Sequence, residues 1–297
     1  MLVWLNGQFV PPDQAVLSVF DAGLQHGVGL FETMAARGGS VFRAQAHVRR
    51  LADSARELLL TDRLHVEPLV EAVAQVAARG DLDNARIRLT LTGGNLNLLQ
   101  SQGTDKVDPT ILIVAQPATV YPDVYFERGV TVLITDGRQN PFDPMAGHKT
   151  LNYWPRIRAL QQAASKRAGE ALWLSVSNHL ASGSVSNVFL VRDETLHTPF
   201  ARGEEEPGAL PSPVLPGITR AAIIATADQM GIETKKHMLD IEDLLGADEV
   251  FLTNSSWGVL SVVGVEQKKI GEGTPGEITK RLRAAWLELV EKETSED

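Results

Sequence analysis

Apolar residues follow two periods along the chain, and the switches between them mark its elements. "LVWLNGQFV", residues 2–10, places apolar residues on both sides of Asn6-Gly7, a pair that tolerates positive φ, and predicts a hairpin. "VGLFETMAARGGSVFR" predicts a second hairpin turning at Gly38-Gly39. Between them, "DAGLQHG" is too short and too rich in turn residues to predict a helix. From Gln45 to Leu60 the period becomes helical. Val48, Leu51, Ala52, Ala55, Leu58 and Leu59 share one stripe, with Arg49, Asp53 and Glu57 on the other side. A second helix is predicted over Val66 to Ala78, followed by strands in "RIRLTLTGG" and "PTILIVAQP". The turn-rich "PATVYPD" then predicts a domain boundary near residue 119.

The second half opens with the strand "GVTVLITD" and the polar loop "GRQNPFDPMAGH". A helix from Tyr153 to Ala168 follows, with Pro155 tolerated in its first turn and Gly169 closing it. "ALWLSVS" and "NVFLVR" predict buried strands, and Ile218 to Met230 predicts a helix ended by Gly231. "DEVFLTN" and "VLSVVGV" are further strands, and an amphipathic helix runs from Glu277 to Glu291.

Composition narrows the possibilities. A chain of 297 residues, 43% hydrophobic, exceeds what one core usually serves, so two domains are expected. No apolar run approaches the roughly 18 residues that cross a bilayer, and "MLVWLNGQFV" lacks the pattern of a signal peptide. A cytoplasmic protein is therefore expected. The absence of cysteine excludes disulfides, thiolate metal sites and a cysteine nucleophile. A net charge of -9 argues against nucleic-acid binding, which needs a basic face.

Candidate chemistry sorts by spacing. The seven histidines form no H-x-x-x-H pair and no cluster with carboxylates, so no metal site is expected. "SGSVS" has serines but no G-x-S-x-G elbow, and a strand rather than a helix follows it, against a serine hydrolase. Phosphate handling is better supported. "VLPGITRAAII" sets Pro216-Gly217 directly before a helix, with Thr219 able to cap it. The N–H groups of Ile218 and Thr219 there make an anion site, unless the feature is simply a capped helix. "TNSS", residues 253–256, ends a buried strand with hydroxyls and offers a second anion-binding turn. Arg50, beside the apolar stripe, either snorkels, pairs with an acid or grips a phosphate. Lys149, in "GHKTLNYW", stands where a loop meets a helix. An isolated lysine is ordinarily a solvated charge. An amine in apolar company instead deprotonates more readily and attacks a carbonyl. One such amine with several anion sites points to an aldehyde-bearing phosphate, and pyridoxal 5'-phosphate is the cofactor of that description.

Eight segments in order, "LNGQFV", "DAGLQHGVGLFET", "HVRRLADSA", "HKTLNY", "SGSVSNVFLV", "LHTP", "LPGITR" and "ADEVFLTNSS", resemble the class IV aminotransferases over almost the whole chain. That family includes branched-chain aminotransferases, D-amino acid aminotransferases and aminodeoxychorismate lyases. The resemblance implies an α+β, two-domain fold of the D-amino acid aminotransferase-like type. Residues 1–119 would form a small α/β N-terminal domain. Residues 120–297 would form a larger pseudo-barrel C-terminal domain carrying the Schiff-base lysine. It further implies a homodimer, pyridoxal 5'-phosphate at the domain interface, and amino acid and 2-oxo acid substrates. Lys149 becomes the Schiff-base lysine and the acid/base that moves the proton. Arg50, the N–H groups of Ile218 and Thr219, and the hydroxyl of Ser255 take the cofactor phosphate. Tyr153 approaches the 3'-oxygen, although its spacing from Lys149 differs by one residue from the branched-chain members.

Two departures qualify the resemblance. The family pattern E-G-x-x-x-N sets a glutamate on the pyridine nitrogen, and this chain has Ser182 in that place, with no Asp or Glu from Ala171 to Arg192. A carboxylate keeps the ring nitrogen protonated, whereas a hydroxyl offers a neutral hydrogen bond. Charge-assisted bonds contribute about 1.5–3 kcal/mol against about 1 for neutral ones, a difference worth a decade or more in rate. The second departure is Gly93, which stands where D-amino acid enzymes and lyases carry a carboxylate-binding arginine. Arg88 lies where branched-chain members also have an arginine, and a structural ion pair is expected for it. The expected activity is amino-group transfer between an amino acid and a 2-oxo acid. The runner-up is lyase-like elimination of pyruvate, and a third reading is a cofactor-binding protein with little turnover on account of Ser182.

Overall fold

The computed structural model describes residues 2–95 and 108–295. They pack as two compact units, one holding the chain to Thr119 with Lys149–Asn152 and the end from Val290, the other Val120–His148 and Tyr153–Leu289.

The first unit contains β1 (Leu2–Leu5), β2 (Gln8–Val10), α1 (Ala22–His26), β3 (Gly29–Arg37), β4 (Ser40–Val41), α2 (Ala44–Glu57), α3 (Val66–Arg79), β5 (Asn84–Thr92) and β6 (Ile111–Pro117). Its antiparallel sheet has the order β2-β1-β6-β5-β3-β4. Both hairpins form as predicted. Asn6 and Gly7 turn the first at φ 46° and 94°, and Gly38 and Gly39 the second at 54° and 88°, the left-handed pairs that suit the twist of two-residue hairpins. Helices α2 and α3 lay Val48, Leu51, Ala55, Val73 and Val76 against Leu30, Met34, Ile87 and Leu89 of the sheet. Leu59 leaves the predicted stripe. The helix stops at Glu57, and Leu59 turns left-handed at φ 56° and is 91% exposed. "DAGLQHG" does form a helix, α1, against the sequence reading. The Asp21 carboxylate accepts from Gly23 N, and Gly27 closes the helix at φ 68°; two caps sustain five residues that periodicity alone would pass over.

The second unit contains α4 (Asp123–Arg128), β7 (Val130–Gln139), α5 (Trp154–Ser165), β8 (Glu170–Ser175), β9 (Leu180–Gly183), β10 (Asn187–Arg192) and β11 (Thr195–Thr198). After them come α6 (Ile218–Gln229), β12 (Thr234–Lys236), α7 (Ile241–Leu245), β13 (Glu249–Asn254), β14 (Gly258–Val265), β15 (Lys268–Lys269) and α8 (Glu277–Ser295), the last running on into the first unit. The mixed sheet runs β12-β11-β10-β13-β14-β7-β8-β9, with β15 on β14. Strands β8 to β10 and β13 are buried on both faces, which is why they read as unbroken apolar runs. Phe189 and Phe251, paired across β10 and β13, stack at 4.9 Å between centroids. Helix α5 ends at Ser165, short of the predicted Ala168, and Gly169 lies beyond it, its N–H donating to Thr131 O at 2.8 Å.

The segment bearing Lys149, expected in the second domain, packs with the first unit instead. Strand β4 covers β3 only at Ala36 and Arg37, so the start of β3 has an open edge. Phe31 N donates to Lys149 O and Leu151 N to Gly29 O, both at 2.9 Å, with Leu30 and Thr150 as the bridge pair. Backbone hydrogen bonds outrank chain order here. No described helix is long and apolar enough to cross a membrane.

Gly258 takes φ 71°, and a Cβ there would lie 2.3 Å from the Trp286 ring. Left-handed backbone for a side chain costs about 1–2 kcal/mol and overpacking about 1–3. Gly258→Ala is therefore expected to lower stability by about 3 kcal/mol in denaturant unfolding. An unchanged midpoint would contradict this packing.

Candidate active site

Lys149 is half-buried and tethered through its carbonyl to β3. Its ammonium lies 4.5 Å from the centroid of the Phe31 ring, and the Arg88 guanidinium lies 3.6 Å from the same centroid. Arg88, expected in a structural ion pair, is seen on this ring and donates from Nε to Thr90 Oγ1 at 3.3 Å. Glycine is needed at position 29 for the lysine segment to lie this close. A Cβ there would meet Leu91 O at 2.3 Å and Leu151 Cδ1 at 2.6 Å.

Next along β3, Glu32 is buried against α2. Arg50 grips it with two bonds, Nε to Oε1 at 2.8 Å and Nη2 to Oε2 at 2.5 Å, and His47 Nδ1 lies 2.7 Å from Oε2. Of the three readings for Arg50, pairing with an acid is the one seen. Burial pushes the Glu32 carboxyl up, but the Arg50 charge and the His47 bond outweigh it and hold it down at about 2. Burial also pushes His47 below its ordinary value, against the partial opposition of Glu32. Sequence reasoning missed Glu32. Its signal was the pair His47 and Arg50, three residues apart on one face of a helix.

In the second unit, the turn between β9 and β10 gathers the polar side chains. Glu170, fully buried, accepts from Ala171 N (2.8 Å) and Ser184 N (3.2 Å) at Oε1, and from Val185 N (3.2 Å) and Ser186 Oγ (3.1 Å) at Oε2. Burial pushes its carboxyl up, and these four bonds offset part of that. It stands one residue outside the acid-free span that begins at Ala171, and the sequence offered no reason to direct it at this turn. Ser182, on β9 opposite Trp173, is buried, its hydroxyl 3.0 Å from the Gln139 amide and 2.9 Å from Gly183 O. With that amide oriented to satisfy its neighbours, Gln139 donates to Pro213 O at 2.7 Å. Its oxygen then accepts from Arg156 Nη2 and Ser182 Oγ, both at 3.0 Å. Arg156 Nη1 also donates to Gly183 O (3.0 Å) and Ser184 O (3.1 Å). The Tyr153 hydroxyl, assigned by resemblance to the cofactor's 3'-oxygen, donates to Ser184 O at 2.9 Å.

The anion-binding elements meet at the start of β10. Asn187 donates from Nδ2 to Leu215 O at 2.9 Å, and a Cβ on Gly217 would sit 2.0 Å from its Oδ1, so the "LPG" turn packs directly on this side chain. Gly217 is the N-cap of α6 with no side-chain cap bond, and Thr219 is buried inside the first turn, so the expected threonine cap does not form. Across the sheet Asn187 pairs with Thr253. The next residue, Asn254, accepts from Ser256 N (2.9 Å) and Trp257 N (3.0 Å) and so shapes the turn that presents Ser255. Ile218, Thr219 and Ser255 thus converge on one end of the sheet. The buried Thr253 hydroxyl has no hydrogen-bond partner among the described residues. A helix N-terminus, a hydroxyl turn and an unsatisfied buried hydroxyl form the donor set that a phosphate ester completes, and the residues fit such a group. Among the described residues no cluster of three or more His, Asp or Glu could hold a metal.

The chain belongs to the class IV aminotransferases, a family of pyridoxal-phosphate-dependent enzymes. The family model described as amino-transferase class IV matches residues 29–265. Over nearly its full length the chain is similar to the branched-chain-amino-acid aminotransferase of Escherichia coli K12, at 30% identity with 99% of this chain and 94% of the relative covered. The solved structure of a T.th. branched-chain amino acid aminotransferase with pyridoxamine 5'-phosphate matches with a TM-score of 0.89 at 29% identity, over 99% of this chain and 95% of that one. The 4-amino-4-deoxychorismate lyase of Pseudomonas aeruginosa matches at 0.82 and 27%, over 97% and 98%. The protein is an aminotransferase, and the lyase alternative is not favoured.

Glu32 has its folded pKa below the unfolded one, so its contribution is fully present above about pH 4.5 and is lost as pH falls through about 2. Glu32→Gln leaves Arg50 without its partner and is expected to cost about 3–5 kcal/mol near pH 7. The cost should shrink as the wild type is acidified through this window. A cost that is constant from pH 7 to 2, followed by urea titration, would refute the assignment.

Proposed function

We propose that this aminotransferase holds pyridoxal 5'-phosphate through the Lys149 amine and exchanges amino groups between branched-chain amino acids and 2-oxo acids. The observation that carries the reading is the Lys149 segment. A lysine held at its backbone against a strand edge, on an aromatic face, is poorly explained as a solvated charge. The cofactor supplies the carbonyl that takes the amine and the ring that accepts electrons from the substrate. The protein's part is to orient and to move protons. Lys149 takes the proton at the substrate α-carbon and returns it during amino transfer. The N–H groups of Ile218 and Thr219 and the Ser255 hydroxyl would bind the phosphate. Ser182 would stand at the ring nitrogen in place of the family's glutamate, offering a neutral hydroxyl there. Tyr153 contributes by holding the Ser184 carbonyl, a support for the turn. The branched-chain preference is supported by the names of the full-length relatives and by Gly93, which leaves that position without a guanidinium.

The working form in this reading is a homodimer. Val16, Val19, Phe20 and Leu24 are 74%, 67%, 67% and 67% exposed within nine residues of one another, an apolar run suited to a second copy of the chain.

Purified protein should be yellow, and borohydride should fix the cofactor on Lys149, seen as a mass increase on that peptide. Lys149→Ala should lose at least a thousandfold in amino transfer from L-leucine, L-isoleucine or L-valine to 2-oxoglutarate. Protein that takes up no cofactor, or retains activity without Lys149, would overturn the proposal; transfer confined to other donors would overturn the substrate assignment. The double change Val19→Glu, Phe20→Glu should shift sedimentation from dimer to monomer, and an unaltered dimer would place the interface elsewhere.

A further inference from the structure

We infer that Arg220 and Glu204 aim the first turn of α6 at the phosphate it binds, by clamping that turn to the start of the loop that leads into it. The inference rests on the phosphate site proposed above, at the N–H groups of Ile218 and Thr219. Two sequence motifs supply its parts. "LHTP" ends on Thr198 and Pro199, "LPGITR" ends on Arg220, and the two ends meet at one guanidinium.

A helix N-terminus holds an anion only as well as its N–H groups are aimed. Local structure does little to aim these. Gly217, the N-cap, makes no side-chain bond. The chain reaches it through residues 199–217, which include five prolines and form no helix or strand. Proline offers no N–H for a backbone ladder.

Side chains do the holding. At the end of the loop, Asn187 bonds Leu215 O. At its start, Arg220, 3% exposed, reaches back from the first turn of α6. Its Nη1 donates to Glu204 Oε1 at 2.9 Å, and its Nη2 donates to Glu204 Oε2 at 2.8 Å and to Pro199 O at 3.0 Å. Its Nε donates to Thr198 Oγ1 at 3.4 Å, and the Thr198 hydroxyl donates onward to Val188 O at 2.9 Å. Helix α6 is thus tied to the first two residues of β10 from both ends of the loop. A guanidinium laid flat on a carboxylate fixes direction as well as distance.

Glu204 is itself held by Ala201 N and by Lys236 Nζ, both at 2.8 Å. Burial pushes its carboxyl up, but the bonds from Arg220 and Lys236 outweigh it and hold it down at about 2, so the clamp is ionised near pH 7. The bonds of Arg220 go to protein groups, so it is a positioning residue. By charge alone, an acid this near the first turn of α6 would weaken anion binding. Held as a clamp it strengthens binding, and the opposite signs separate the two roles.

The test compares pyridoxal 5'-phosphate with pyridoxal, which lacks the phosphate, in absorbance titrations of cofactor-free protein at pH 7. The wild type is expected to favour the phosphate ester about a hundredfold or more. Arg220→Met should shrink that preference about tenfold and leave the affinity for pyridoxal nearly unchanged. Glu204→Gln should also shrink it. Lys236→Met, which removes a charge and leaves the Arg220–Glu204 bonds, should not. An unchanged preference in folded Arg220→Met protein, a larger preference in Glu204→Gln, or equal weakening of both ligands would overturn the inference. So would a loss in Lys236→Met as large as that in Arg220→Met. Glu204→Gln decides if Arg220→Met does not fold. Wild-type protein with no preference for the phosphate ester overturns the phosphate site itself, and this inference with it, whereas unmoved variants overturn the clamp alone.

Discussion

Glu170 is a carboxylate with no exposure and no counter-ion among its bonded partners, and the turn between β9 and β10 is built to receive it. A buried acid is tolerated when hydrogen bonds replace water. Here three backbone N–H groups and one hydroxyl do so. The requirement propagates outward. Wrapping residues 183–186 around a carboxylate needs small side chains, and at Gly183 a Cβ would fall 2.1 Å from Ser186 Oγ. With the turn's N–H groups facing Glu170, its carbonyls face the other way. Those of Gly183 and Ser184 receive Arg156 and Tyr153 at the start of α5, and that of Val185 receives Asn254. Helix α5 and the turn presenting Ser255 therefore take their positions from the same four residues.

The two units manage a buried acid in opposite ways. Glu32 is neutralised by Arg50 and held ionised; Glu170 is surrounded by dipoles and pushed towards its neutral form. The first arrangement orients a cation, since a guanidinium gripped by two bonds cannot swing. The second orients a backbone turn. Arg156 and Ser182 meet at the Gln139 amide, whose oxygen accepts from both.

Much of the site was legible from local pattern. The lysine, the "LPG" turn before a helix, and the hydroxyl run after a buried strand each rest on residue types whose local geometry is short-range. Asn187 and Gly217 illustrate the limit. Both belong to motifs quoted from the sequence, yet nothing in 30 residues of separation says that the amide of one packs on the backbone of the other. The same limit hid Glu32 and Glu170, whose partners, the adjacent Ala171 N–H apart, lie 14 to 18 residues away and are chosen by strand register and helix packing. Where the sequence reading erred, short-range competition was at work: two caps stabilised α1, and an early stop at Glu57 rotated Leu59 into solvent.

By itself, the sequence determined the hairpins, the apolar stripes of the long helices, the fully buried strands, and the replacement of an expected glutamate by Ser182. These follow from periodicity, turn chemistry and composition, which act over a few residues. The tertiary structure alone decided that Lys149 joins the open edge of β3, that Arg50 is fixed by Glu32, and that a guanidinium stands behind Ser182. Each depends on hydrogen bonds between segments distant in the chain, whose pairing is settled by sheet register and by the need to satisfy buried polar groups.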